Sequence, residues 1–123
     1  MTTAFRVIFR ASDYDASIAF YRDTLRLQVE RDWDRGPTQK GTIFVAGTGF
    51  VEVLSMDEAH EPPQGIELYV PVHDVNAFAE ILRAQGITLY SEPTDKPWGH
   101  RTVSVLDPDG VRVIAYSEIE PSS

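Results

Sequence analysis

The feature of this sequence that most restricts its fold is an internal repeat. The segment Arg6-Val-Ile-Phe-Arg-Ala-Ser-Asp13-Tyr-Asp-Ala16 reappears in outline as Glu67-Leu-Tyr-Val-Pro-Val-His-Asp74-Val-Asn-Ala77. At one constant offset Asp13 meets Asp74, Ala16 meets Ala77 and Arg22 meets Arg83. Self-similarity of this kind marks one supersecondary unit used more than once. Each copy runs from a short alternating stretch through an aspartate into a helical pattern. The first helix is predicted from about Asp15 to Leu25, capped by Ser12 or Asp13, with Ile18, Tyr21 and Leu25 as one buried stripe. The second is predicted from about Val75 to Gln85, capped by Asp74, with Val75, Phe78 and Leu82 repeating the spacing and Gly86 as a left-handed stop.

Strands are predicted at Thr42–Ala46 and Phe50–Ser55 around the turn Gly47-Thr-Gly49, and at Arg101–Leu106 and Val111–Tyr116 around Asp107-Pro-Asp-Gly110. Asp57–Gly65, with Pro62-Pro63, reads as a linker, Trp33–Lys40 as a polar loop, and Ile119–Ser123 as a loose tail. Each half is therefore an α+β module. Successive strand side chains point to opposite faces. In each strand one set is apolar (Val7 and Phe9; Val51 and Val53; Leu68, Val70 and Val72; Val103 and Val105; Val111, Val113 and Ala115) and should meet the helices. The other set mixes charges, aromatics and aliphatics, as either a partly solvated face or a ligand-binding concavity does.

The chain has 123 residues, room for one domain, and 11 Lys+Arg against 19 Asp+Glu, so its net charge is 11 − 19 = −8. An acidic chain without a basic run argues against nucleic acid and anionic membranes. The absence of cysteine excludes disulfides, thiolate metal sites and cysteine nucleophiles, and three histidines make an imidazole-rich metal centre hard to assemble. With no signal-like or membrane-length apolar stretch, the expected location is the cytoplasm.

Three stretches then resemble a known family. Ser17-Ile-Ala-Phe-Tyr-Arg-Asp-Thr-Leu-Arg-Leu27 is similar to the "S-x-x-F-Y-x-x-x-L-G-L" segment of the vicinal oxygen chelate superfamily, which includes glyoxalase I, bleomycin-resistance proteins and extradiol dioxygenases. Pro97-Trp-Gly-His-Arg101 followed by Leu106-Asp-Pro-Asp-Gly-Val111 resembles its "P-W-G-x-R … D-P-D-G" signature, and Val72-His-Asp-Val-Asn-Ala77 with Arg83-Ala-Gln-Gly86 its "V-x-D-V-x-A … G". The resemblance implies one domain over residues 1–123, made of repeats at about 4–58 and 66–119. It implies two βαβββ modules forming a U-shaped mixed sheet around a cavity, helices outside, and a homodimer. Arg26 stands where the family usually has glycine, which predicts a differently shaped helix end.

Matching the motifs places the family's four metal-ligand positions at Arg6, Glu52, Glu67 and Ile114. Arginine and isoleucine offer no lone pair, so only Glu52 and Glu67 could hold a divalent ion, and the simpler reading pairs Arg6 with one of those carboxylates. Glu52 is also a candidate general base. The expected ligand-binding residues are Arg6, Glu67, Tyr69, Arg112 and Tyr116, with Trp33 and Trp98 at the rim. His60, His73 and His100 read as structural or exposed. The resemblance is closest to the metal-free, bleomycin-resistance-like branch. It implies a small organic ligand, an antibiotic or a metabolite, held without a cofactor, and the acidic charge suggests a planar cation. The alternative is a divalent-metal lyase, isomerase or dioxygenase, and a third class is a ligand-free interaction module.

Overall fold

The computed structural model describes residues 3–119. Of the expected tail, residues 120–123 lie outside the described residues. The elements run β1 (Arg6–Ala11), α1 (Tyr14–Ala19), a π-helical turn (Phe20–Thr24), β2 (Val29–Asp34), β3 (Lys40–Ala46) and β4 (Gly49–Ser55). The same order follows as β5 (Glu67–Pro71), α2 (Val75–Ala84), β6 (Ser91–Asp95), β7 (His100–Leu106) and β8 (Arg112–Glu118). This is the βαβββ module twice, an α+β fold. Each module forms one four-stranded mixed sheet, β1-β4-β3-β2 in the first and β5-β8-β7-β6 in the second. In each, the first strand pairs parallel with the last and the remaining neighbours are antiparallel. A parallel pair needs a long crossover, which α1 and α2 begin.

The chain divides into two compact units. One extends through Gly65 and takes in Pro108–Gly110, and the other holds Ile66–Asp107 and resumes at Val111. In the first, α1 and the π-helical turn bury Ile18, Phe20, Tyr21 and Leu25 with Phe9, Phe44, Val51 and Val53 of the sheet. Tyr21 is fully buried, its ring 5.1 to 6.1 Å from those of Phe9, Phe20 and Phe44. In the second, Val75 and Ala79 of α2 pack with Val103 and Ala115, flanked by Val72, Phe78 and Leu89.

Local signals explain the helix ends. Asp13 accepts the Ala16 amide at 3.1 Å and Asp74 accepts the Ala77 amide at 3.2 Å, so both copies use the repeated aspartate to satisfy a free first-turn donor. Gly86 ends α2 with φ of 77°, a conformation open to glycine at no steric cost. The turn after β7 is held by Asp107, whose carboxylate accepts the Val111 amide at 2.8 Å, and Asp109 accepts the Ser12 amide at 3.0 Å.

Two strands escape the sequence reading. Trp33, expected in a loop, lies in β2, and β6 occupies a stretch given no element. Both are edge strands, and their sequences Val-Glu-Arg-Asp-Trp-Asp and Ser-Glu-Pro-Thr-Asp are polar. An edge carrying charge or proline resists pairing with another chain, and that same composition hides its periodicity.

Candidate functional site

On each sheet the face away from the helix carries the mixed set. In the first sheet the register lines up Arg6, Phe50 and Val45; then Ile8, Glu52, Ile43 and Arg31; then Arg10, Leu54, Gly41 and Trp33. Directly paired residues share a face. Glu52 sits at the centre with its side chain only 10% exposed, and accepts a hydrogen bond from Arg6 Nη1 at 2.9 Å. The Arg6 guanidinium lies 5.7 Å from the Phe50 ring centroid, so it has a π-face as well as a carboxylate. Arg10 donates to the Ser55 carbonyl at 2.8 Å and pairs with Asp57 at 3.4 Å. The Trp33 indole covers Gly41: a Cβ there would stand 2.2 Å from indole Cζ2. The Arg31 guanidinium lies 5.8 Å from the Trp33 ring.

The corresponding face of the second sheet holds two clusters. Tyr69 and Tyr116 stack at 4.5 Å, and His100 stacks on Tyr116 at 4.4 Å. The Tyr69 hydroxyl is hydrogen-bonded to His100 Nδ1 at 2.7 Å and accepts from Trp98 Nε1 at 3.3 Å. In the second cluster Arg112 donates to Glu67 at 3.0 Å and to Ser104 at 3.3 Å, and its guanidinium lies 4.9 Å from the Tyr90 ring. Ser104 is in turn hydrogen-bonded to Ser91 at 2.6 Å.

The helix side of the first sheet is different in charge. A cleft of about 480 Å³ lies there, lined by residues that include Tyr14, Asp15, Asp32, Asp34, Lys40 and Thr42. Tyr14 is hydrogen-bonded to Thr42 at 2.7 Å, and the Lys40 ammonium lies 5.7 Å from its ring. Burial pushes the Tyr14 phenol above its ordinary range, and the carboxylates of Asp32, Asp15 and Asp34 add to the rise against the lowering effect of the Thr42 hydrogen bond.

The residues singled out in the sequence thus fall into separate groups. Arg6 meets Glu52, and Trp33 shares their face two strands away from β4. Glu67 meets Arg112, while Tyr69, Tyr116 and Trp98 come together, and Ile114 pairs with Tyr69 in the register. His60 is in the linker, hydrogen-bonded to Asp57 at 2.6 Å, and His73 is exposed beyond β5. His100 stands inside the aromatic cluster, packed on Tyr116 and hydrogen-bonded to Tyr69. Its signal was parity, since starting β7 one residue earlier than Arg101 puts it on the face of Thr102 and Ser104. Tyr90, the surface under Arg112, lies just before the missed strand β6.

Residues 4–114 match the family model of the Glyoxalase/Bleomycin resistance protein/Dioxygenase superfamily. The chain belongs to this superfamily. Solved structures with the same fold include a glyoxalase/bleomycin resistance protein from Streptomyces sp. CB03234, 20% identical at a TM-score of 0.77 over 94% of this chain and 100% of that one. The antibiotic-binding protein TnmS3 from the same organism is 20% identical at 0.77, over 99% and 98% of the two chains. Lactoylglutathione lyase from Agrobacterium tumefaciens is 21% identical at 0.64, over 94% and 93%. No curated protein sequence matches the chain. The fold thus serves both an antibiotic-binding protein and a lyase, and activity has to be argued from the site. No helix among the described residues is long and apolar enough to cross a membrane.

Proposed function

We propose that this superfamily member is a metal-independent binder of a small organic molecule, working by sequestration on the mixed sheet faces. One observation carries the reading: each carboxylate at a family metal position is held by an arginine, Glu52 by Arg6 at 2.9 Å and Glu67 by Arg112 at 3.0 Å. The donor set does not fit a divalent ion. Arg6 and Ile114 supply no lone pair, and the two carboxylates already have counter-charges. An arginine beside a buried carboxylate replaces the neutralising role a cation would have, at the cost of desolvating both groups. In this reading Glu52 positions Arg6 through the oxygen that accepts its guanidinium.

The aromatic groups supply what sequestration needs. Tyr69, Tyr116, His100 and Trp98 offer flat surfaces, and the polar groups of Tyr69, His100 and Trp98 are already hydrogen-bonded to one another, so stacking a ring on them leaves few polar groups unsatisfied. The antibiotic-binding neighbour supports the ligand class. The protein acts in the cytoplasm as a homodimer, a mode suggested by exposed Ile8 and Leu106 on the mixed faces.

Elemental analysis of protein purified without chelator tests the reading. Metal well below one equivalent is expected. A stoichiometric transition metal that is lost in Glu52→Gln overturns it in favour of a metal-dependent lyase, isomerase or dioxygenase. Light scattering at micromolar concentration is expected to give the dimer mass.

A further inference from the structure

The edge strand β2 sorts its charges by parity. Asp32 and Asp34 pair with Thr42 and Lys40 and line the helix-side cleft, while Arg31 and Trp33 pair with Ile43 and Gly41 on the mixed face, Trp33 also bordering that cleft at the sheet edge. Among the residues paired on that face, Arg6, Arg10 and Arg31 stand against Glu52, and with Asp57, the partner of Arg10, the balance is 3 − 2 = +1, in a chain of net charge −8. Two of these arginines are committed, Arg6 to Glu52 and Arg10 to Asp57. Arg31 has no carboxylate partner among the described residues, and its guanidinium stands beside a half-buried indole that covers a glycine.

We infer that the ligand of the first sheet is a planar organic anion, an aromatic carboxylate or phenolate, stacked on Trp33 and countered by Arg31. The inference rests on the binder reading and specifies its ligand class. A planar cation would meet the guanidinium of Arg31, with the carboxylates of Glu52 and Asp57 already taken by Arg6 and Arg10. The net charge does not overrule the local one. A ligand stacked on Trp33 on the mixed face lies on the same face as Arg31, whereas Asp32 and Asp34 point to the other. An indole fixed over glycine gives stacking area at little entropic cost, and a guanidinium gives a carboxylate two parallel donors.

Calorimetric titration of the intact protein with three isosteric probes tests this: 2-naphthoate, 2-naphthamide and 2-naphthylmethylammonium. The acid is expected to bind roughly tenfold more tightly than the amide, and the ammonium most weakly. Arg31→Gln should bring the acid down to the amide. Arg35→Gln, which removes the same charge from the following turn, should leave the acid's advantage in place. Trp33→Leu should weaken acid and amide together. Equal affinities for acid and amide, or an advantage that survives Arg31→Gln, overturn the inference. If the ammonium binds best, the anion inference falls while the binder reading stands. If none of the three binds, both fall.

Discussion

Arg26 holds φ of 59°, a left-handed conformation that side chains with a Cβ adopt at a cost. The family pattern has glycine at this position, and the arginine was expected to reshape the helix end. It does not: the chain keeps the glycine-like backbone, because Leu27 N–H still bonds to the Tyr21 carbonyl and Leu25 N–H to the Phe20 carbonyl. Arg26→Gly relieves about 1–2 kcal/mol of backbone strain, less about 0.4–1 kcal/mol for the freer unfolded chain. A net gain of roughly 0.5–1 kcal/mol is expected from the urea midpoint, and a loss would show that the arginine side chain makes contacts that outweigh the strain. Ser17 makes a second case. It opens the Ser-x-x-Phe-Tyr match, yet its buried hydroxyl has no hydrogen-bond partner among the described residues. Ser17→Ala removes an unsatisfied polar group from a helix and substitutes a better helix former, so a gain of about 1 kcal/mol is expected. A loss in thermal melts would mean that the hydroxyl is satisfied by a group outside the protein, such as an internal water.

At the level of elements, legibility followed burial. Helices α1 and α2 could be read because each has a capping aspartate and an apolar stripe, and β4, β7 and β8 because each alternates between a helix-facing and a mixed set. Strands β2 and β6 lie at sheet edges, so polar residues are tolerated on both faces and no period survives. The site inherits that difference. The parity of β4, β5 and β8 placed Glu52, Glu67, Tyr69, Arg112 and Tyr116 on the mixed faces, and the Arg6–Glu52 pair was one of the alternatives open from sequence. Nothing local in β2 announced that Trp33 would lie over Gly41, because that contact depends on a strand pairing the sequence did not reveal. It can be tested directly. Gly41→Ala would place a methyl group within the indole, and the side chain, being the movable partner, must swing off the sheet. In a Trp98→Phe background, where Trp33 is the sole tryptophan, its emission is expected to shift to the red while far-ultraviolet circular dichroism stays unchanged. An unshifted spectrum would mean that the indole is not seated over Gly41.

For the whole molecule, the excess of carboxylates has a consequence for stability as well as for ligand choice. Several of them are held below the usual carboxylate range in the folded state: Asp57 chiefly by a hydrogen bond from His60, Asp95 by one from Arg101, and Asp23 by one from Arg22. Unfolded, these groups titrate near pH 3.9. Below about pH 5 the unfolded chain therefore binds more protons than the folded one, and stability must fall with falling pH through that window. Above it the contribution is fully present. Asp23 and Asp95 are exposed and Asp57 is half-buried, so salt screens the pairs and the loss is gradual and shared by both units rather than abrupt at one site. Tyr14 sets the opposite limit: burial raises its folded pKa, so the unfolded chain ionises first and stability declines as pH climbs past about 10. Melting temperature is thus expected to be flat between about pH 6 and 9 and to decline on both sides. Asp95→Asn should lower it slightly at pH 7 and make the acid limb shallower, because one of the titrating groups is gone. A melting temperature that stays constant down to pH 3, or an acid limb as steep in Asp95→Asn as in the parent, would show that these carboxylate pairs do not govern the acid response.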